Sequence, residues 1–538
     1  MTGEVRQTLI CSLVVAAASL AVVNPAPSQD RIDPSGIAGA MILCGGAEPP
    51  AAARIKFLAL AGGEKAKLVI VIPAREKSDE PITNSKRVEG ELAKWKIPAG
   101  ATARLIVLDS GEEAGQGAVL RPLRDATAVW LADGTWPRHS TINSGVEQEI
   151  QKLIARGGVA GGTGGGALAL AALVPDAKVE TDFQEKGKKE RLWEAMQAPG
   201  PVPRWGIGVD KDAALLIHHR HLEVLGNATV TILLNAAVQP SGQKRREIVL
   251  KPEDFQDLTL LRRAAQSRAK PLGSDTTRET RLEHHGSLVL VGGGGISSEV
   301  VKRFIELAGG ADAPIVVLPT GNPPDDPPRP SREAKMLEKA GARQVVVLSQ
   351  RTLAEVESPQ WKAALQQAKG VWFGGGRQWR FIDCYEGTAA QTAIHDVLRR
   401  GGVIGGSSAG ATIQGEYLCR GSPLGNQAMQ AEGYERGFGY LPGTAIDQHF
   451  SQRKRWGDMT ELMRRHPQLL GIGIDEQTAL IVQGNTAEVL GKNQVYFYDY
   501  RAPPADPQHD FILAKPGEKF DLLRRRLVEK PPAAGKEQ

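Results

Sequence analysis

Short aliphatic and β-branched runs recur along the chain. They are separated by longer stretches in which apolar residues return every three or four positions. MILC (41–44), LVIVI (68–72) and VWLA (129–132) are followed much later by LVLV (288–291), IVVL (315–318) and VWF (371–373). Runs this apolar, without strict alternation, predict strands covered on both faces. Their alternation with amphipathic helical stretches predicts βαβ units and a mostly parallel sheet.

The same series occurs twice, at an offset of about 245 residues. MILCGG (41–46) matches LVLVGG (288–293), and KFLALAGG (56–63) matches RFIELAGG (303–310). VWLADG (129–134) matches VWFGGG (371–376), GGVAGGTGGGA (157–167) matches GGVIGGSSAGA (401–411), and RWGIGVDKDAALLI (204–217) matches LLGIGIDEQTALIV (469–482). A period this long indicates domain duplication and not a solenoid array. The expected fold class is therefore α/β, with two tandem copies of a mostly parallel-sheet, flavodoxin-like domain. Helices should cover both faces. The copies are placed at 36–240 and 284–500, joined by a charged connector (241–283) and followed by a Pro-rich tail (501–538).

Composition narrows the class without naming a function. The chain has 538 residues, 41% hydrophobic and 24% charged, which excludes a largely disordered protein. Four cysteines are too few for a disulfide scaffold, and Cys44, Cys384 and Cys419 read as small buried residues. A net charge of +5 is nearly neutral for this length, and the basic runs KRR (244–246) and RRR (524–526) are short. No nucleic-acid footprint is expected. Residues 1–28 read as a secretory signal peptide: Arg6, an apolar run from Leu9 to Val23, then small residues up to Ser28. The run is short of the ~20 residues of a membrane span. The protein is expected to be exported, to a periplasm or the exterior, with no stable membrane span after cleavage. An uncleaved anchor is the rival reading.

The duplication acts as an internal control for chemistry. Gly406-Ser407-Ser408-Ala409-Gly410 has the G-x-S-x-G form of a nucleophile elbow, placed after a strand and before a helix. It would present Ser408, with the N–H of Ala409 available to an oxyanion. The first copy keeps the glycines but has Gly164 in place of Ser408. The turn therefore does not need the hydroxyl, and chemistry explains it better. A serine needs a positioned base. His449, in AIDQHFSQRKRW, is that candidate; the corresponding stretch of the first copy has no histidine. His395 falls on a helix face, and His466 precedes Pro467. The imidazole needs an orienting carboxylate. Asp475 is matched by Asp210 and reads as structural. Glu476, opposite Lys211, is the catalytic candidate, with Asp447 as rival. The His218–His221 cluster reads as a solvated loop, and GGGG (292–295) as a turn without a dinucleotide pattern.

The order GGSSAGA, DQHF, GIGIDEQTA over roughly residues 286–500 resembles the cyanophycinase family, peptidase family S51, which includes aspartyl dipeptidases. The resemblance implies a triad of Ser408, His449 and Glu476. It implies an oxyanion contribution from Gly376 as well as Ala409. It implies substrate contacts from Gln378, Asp447, Gln448, Arg453 and Arg455. Arg377 departs from the family pattern, and Asp458 stands where that pattern carries a third arginine. The implied activity is serine-type hydrolysis of peptide or isopeptide bonds next to aspartate, releasing β-Asp-Arg dipeptides from a cyanophycin-like polymer. No metal or organic cofactor is implied. A general isoaspartyl or α-aspartyl dipeptidase is one alternative, and a non-catalytic binding protein another. The first copy reads as a catalytically inactive twin, packed on the second as an internal pseudo-dimer across an apolar interface.

Overall fold

The structure is a computed structural model. It describes residues 31–73, 90–91, 93–108, 117–136, 144–198, 204–237, 244–269, 285–323, 331–501 and 509–529. The expected signal peptide (1–28) lies outside the described residues, as do parts of the connector and tail. Among the described residues no helix is long and apolar enough to cross a membrane.

Each half is built on one large sheet. In the second half its strands run in the order Val345–Val347, Ile315–Leu318, Gly370–Phe373, Val403–Ser407, Ser287–Val291, Thr478–Gln483, Thr486–Gly491, Lys519–Asp521 and Arg526–Leu527. The first five are parallel neighbours and the rest pair antiparallel. The first half repeats this order with Thr102–Leu108, Lys67–Pro73, Ala128–Leu131, Val159–Thr163, Ala40–Cys44, Ala213–His218, His221–Gly226 and Phe255–Asp257. Central strands such as Ser287–Val291 and Ala40–Cys44 are buried along their whole length, as their uninterrupted apolar runs require.

Matching helices seal matching faces. Helix Ser298–Ala308 begins where Ser297 Oγ accepts the Val300 N–H and stops at Gly309. Its Phe304 packs edge-on against Trp372 at 4.9 Å. In the first half, Phe57 of helix Ala51–Leu60 meets Trp130 in the same way at 4.9 Å. Truncating either buried phenylalanine to alanine would cost about 3–5 kcal/mol.

The structure has the expected α/β class and adds detail in three respects. First, each half carries a second, smaller sheet of mixed pairing. In the second half it runs Gly415–Tyr417, Leu441–Gln448, Leu470–Ile474, Val495–Asp499, Ile512–Ala514. In the first half it runs Ala177–Thr181, Trp205–Val209, Val230–Leu234, Arg246–Leu250. The segment 470–483 looks continuous in sequence, yet the turn at Asp475–Gln477 passes the chain from one sheet to the other. Second, strands beyond residues 240 and 500 pair with strands before them. Arg246–Leu250 and Phe255–Asp257 pair with first-half strands. Ile512–Ala514 and Lys519–Asp521 pair with second-half strands. Third, the contact between the halves is rich in buried charge. Leu258, Leu261 and Ala264 of helix Leu258–Ala269 join the first-half core, and Leu260 leans on the second-half core. On the same helix Arg263 binds Glu386, Arg268 binds Glu432 at 2.6 Å, and Ser267 binds Glu435 at 2.6 Å.

Candidate active site

Five segments meet at the carboxyl ends of the parallel strands, where open α/β sheets bind ligands. Strand Val403–Ser407 ends in the elbow. Ser408 takes φ 55°, ψ −115°, and its N–H donates to Val291 O at 2.9 Å. That backbone is strained for a residue with a Cβ. The flanking glycines are steric necessities, since a Cβ on Gly406 would lie 2.3 Å from Gly410 O, and one on Gly410 2.3 Å from Phe373 O. The helix expected after the elbow is a single turn, Ala409–Thr412, because strand Gly415–Tyr417 follows at once.

His449 follows strand Leu441–Gln448 and adopts φ 48°. Its N–H donates to Gly292 O at 2.8 Å, which ties it to the turn after strand Ser287–Val291. Its Nε2 lies 3.0 Å from Ser408 Oγ, and its Nδ1 2.5 Å from Glu476 Oε1. Gln448 Oε1 also accepts from Ser408 Oγ, at 3.3 Å. The neighbouring Asp475 accepts the Ser451 N–H at 2.8 Å and so fixes the turn that carries Glu476. Burial lowers the His449 pKa below its ordinary value; Glu476 opposes this and the Arg453 charge adds to it. The imidazole is therefore neutral at pH 7, the form able to take a proton. Neither the Ala409 N–H nor the Gly376 N–H has an acceptor among the described residues. The turn after strand Gly370–Phe373 faces the elbow closely, since a Cβ on Gly375 would lie 3.9 Å from Ser408 Cβ.

Several expected substrate contacts have other partners. Asp447 is fully buried. Its carboxylate accepts from Arg420 Nε at 3.1 Å, from Arg455 Nη1 at 2.8 Å and from the Gln448 N–H at 3.0 Å. It is thereby unavailable to His449 Nδ1, which is bound to Glu476. Arg455 is buried too, with a second bond to Gln448 O at 2.7 Å. Gln378 is buried and donates to Cys419 O at 2.7 Å and Arg420 O at 2.8 Å. Asp447 and Arg455 thus bond each other and Gln448 at the strand end that carries His449, while Gln378 bonds the Cys419–Arg420 segment. Arg453 and Arg377 are exposed, and their side chains have no hydrogen-bond or ion-pair partner among the described residues.

Sequence reading missed two features. Arg420 is buried between Asp447 and Asp458, the latter at 2.5 Å. No spacing rule predicts a buried arginine at φ 58°. The GGGG turn is more than a turn: a Cβ on Gly293 would lie 2.3 Å from the His449 ring, and one on Gly294 2.4 Å from Glu476 Oε2. The available signal was Ala47, which replaces Gly294 in the half that has Lys211 in place of Glu476.

The first half repeats this backbone with different chemistry. Gly164 (φ 46°) stands where Ser408 stands. Asp182 (φ 48°) takes the place of His449, its N–H donating to Gly45 O at 3.1 Å. Lys211 follows Asp210 as Glu476 follows Asp475. Asp133, opposite Gly375, places Oδ1 2.9 Å from the N–H of Gly165, the counterpart of Ala409. The His218–His221 loop is also not simply solvated, because Arg220 turns inward to Asp257 and Asp383.

A hydroxyl, an imidazole and a carboxylate in line at the strand ends of an α/β sheet define a nucleophile-elbow hydrolase class. The family model and the sequence relatives agree on the family. The sequence model of Peptidase family S51 matches residues 288–490. A cyanophycinase of Nostoc sp. is 32% identical over 245 residues, 44% of this chain and 79% of that protein. One of Geminocystis herdmanii is 30% identical over 207 residues, 38% and 76% of the two chains. A solved peptidase structure from an acI-B1 Actinobacterium is 21% identical, covering 45% of this chain and 98% of that one, with a TM-score of 0.35. The chain belongs to peptidase family S51.

Proposed function

We propose that the second half is a serine-type exopeptidase that cleaves peptide or isopeptide bonds next to aspartate through an acyl-enzyme. Its preferred chemistry is cyanophycinase-like release of β-Asp-Arg dipeptides. The observation that carries this reading is the relay from Ser408 Oγ through His449 to Glu476, at 3.0 and 2.5 Å, beside two unengaged N–H groups. Ser408 Oγ attacks the carbonyl carbon while His449 Nε2 takes its proton. Glu476 holds the ring and stabilises the imidazolium. The N–H groups of Ala409 and Gly376 receive the oxyanion. His449 then returns the proton to the leaving amine, and the acyl-enzyme forms. Water, deprotonated by His449, attacks the acyl carbon and releases the second product with Ser408 restored. Exposed Arg453, beside His449, is suited to a substrate carboxylate. The first half, with Gly164, Asp182 and Lys211, performs no hydrolysis in this reading. The protein acts after export.

A general isoaspartyl or α-aspartyl dipeptidase is the second reading. It is favoured by Asp458, which neutralises Arg420 where the family resemblance leads one to expect another cation. The test is a hydrolysis panel of cyanophycin, β-Asp-Arg oligomers, other β-aspartyl peptides and α-aspartyl dipeptides, run on the mature chain and its Ser408→Ala variant. Turnover abolished by the substitution supports the triad, and the preferred member separates the two readings. Turnover that survives Ser408→Ala overturns the mechanism. No turnover on any member favours a non-catalytic binding protein.

A further inference from the structure

The hydrolytic groups all lie in the second half, yet one wall of the site is held from the first. That wall is the turn Gly374–Gln378, which faces the elbow so that a Cβ on Gly375 would lie 3.9 Å from Ser408 Cβ, and which carries the N–H of Gly376. The turn continues without a break into helix Trp379–Tyr385. One end of the turn is held by Gly374 N–H to Leu318 O and Arg377 N–H to Gly321 O, both at 2.9 Å, and the other follows what fixes this short helix.

Arg220 fixes it at two points. This residue sits at the tip of the hairpin formed by Ala213–His218 and His221–Gly226 in the first half. Its guanidinium lies over the Trp379 ring at 4.9 Å, and Arg380 approaches the same ring at 5.0 Å. Its Nη1 binds Asp383 Oδ2 at 2.5 Å, one turn further along the helix. The other edge of the guanidinium is anchored in its own half by Asp257, at 2.5 Å from Nε and 3.0 Å from Nη2. Tyr434 closes the ring of contacts: its hydroxyl receives from Arg220 Nη2 at 3.0 Å and donates to Asp383 Oδ1 at 2.7 Å. Asp383 is 7% exposed, and a hydrogen-bonded network buried at this member is stiff. A planar fork that binds a carboxylate on each side and stacks on an indole is a task that only arginine can perform in full.

We propose that Arg220 of the first half is a positioning residue for the site of the second, holding the Gly374–Gln378 wall against Ser408 through Trp379 and Asp383. The first half thus keeps a part in hydrolysis after its own serine, histidine and glutamate positions have been filled by other residues. This rests on the peptidase reading above.

The test compares Arg220→Ala, Arg220→Lys and Arg268→Ala in the full chain. Arg268 is a control that is more buried than Arg220; it crosses the same interface to Glu432 but touches neither Trp379 nor Asp383. Misplacing catalytic groups by an ångström costs up to ~100-fold, so kcat on a β-aspartyl peptide should fall about tenfold or more in Arg220→Ala. Arg220→Lys keeps the charge without the fork and should recover part of the loss. Arg268→Ala should lower thermal stability while kcat stays within about twofold of the parent. Wild-type kcat in both Arg220 variants, or an equal kcat loss in Arg268→Ala, overturns the proposal. If Arg220→Ala does not fold, the Arg220→Lys result decides alone. Amide hydrogen exchange of residues 370–385 is read on the same proteins. Faster exchange in the Arg220 variants than in Arg268→Ala supports the brace, and equal exchange overturns it. That readout stands even if the parent chain hydrolyses none of the substrates, a result that would count against the peptidase reading alone.

Discussion

Gly294→Ala is the most informative substitution in the site, because it adds one methyl group at a known distance from the relay. The new Cβ would lie 2.4 Å from Glu476 Oε2, 2.6 Å from its carboxyl carbon and 2.5 Å from its Cβ. Ordinary van der Waals contact begins near 3.4 Å, so the whole glutamate must retreat by about 1 Å. A retreat of that size takes the 2.5 Å bond to His449 Nδ1 to about 3.5 Å, beyond hydrogen-bonding range. Gly294 also has φ 66°, which costs an alanine roughly 1–2 kcal/mol of folding stability. The expected result is a kcat about 100-fold lower, equivalent to ~2.7 kcal/mol, with KM little changed. The melting temperature should fall by only about 2–8 °C. Steady-state hydrolysis of a β-aspartyl peptide, paired with thermal unfolding, measures both. Since the damage acts through Glu476, adding Gly294→Ala to Glu476→Ala should cost almost nothing more in kcat. A single variant that keeps kcat within about threefold refutes this account. So does a double variant that loses a further ~100-fold, for then Gly294 acts independently of the carboxylate.

Two further perturbations test the charges around the relay. Burial holds the His449 pKa below 6.5, so kcat/KM should rise with pH, with its acid limb centred below pH 6.5, and stay high through neutrality. Removing the Arg453 charge should move that limb to higher pH, and Glu476→Gln should move it lower; profiles from about pH 5 to about pH 8 decide, and opposite shifts refute the assignment. Asp458→Arg should not create a family-like pocket. It removes the 2.5 Å partner of buried Arg420 and crowds a third cation toward Asp447, which already serves Arg420 and Arg455. Because Asp458 is half exposed, the loss should be about 2 kcal/mol in urea unfolding, with no gain in KM; an unchanged unfolding midpoint would contradict it.

The catalytic candidates were legible in the sequence because they are the reactive positions at which two otherwise matching halves differ. Ser408 faces Gly164, and Glu476 faces Lys211. The positions that match, such as Asp475 and Asp210, prove to hold turns. The large parallel sheet was legible because strands covered on both faces need unbroken apolar runs. The second sheet was not, since a three-residue turn at Asp475–Gln477 leaves no composition signal between two strands. Buried charge was equally hidden. Arg420, Arg455 and Arg220 carry the residue type expected on a surface, and only their pairing with Asp447, Asp458, Asp257 and Asp383 makes burial tolerable. Arg455 and Gln378 are expected as substrate contacts through the family resemblance; in three dimensions both are buried and bonded to protein groups.

The changes in the first half are fitted to one another. A Cβ on Gly164 would lie 2.2 Å from Asp133 Oδ1, so no side chain, serine included, fits while that carboxylate holds the Gly165 N–H. Asp133 in turn needs the elbow N–H free of substrate, since it sits where an oxyanion would. In the second half Gly375 has no side chain, and the Ala409 N–H is left open. The same logic holds across the relay, where Gly294 leaves room for Glu476 and the first half pairs Ala47 with Lys211. Each half is thus internally consistent, and placing a serine at Gly164 would create a collision with Asp133 before it created a nucleophile. The contact between the halves obeys no such exclusion. Arg220 can hold Asp383 and Trp379 whatever stands at Gly164, so the proposed brace and the chemistry at the first-half elbow are physically separable within one fold.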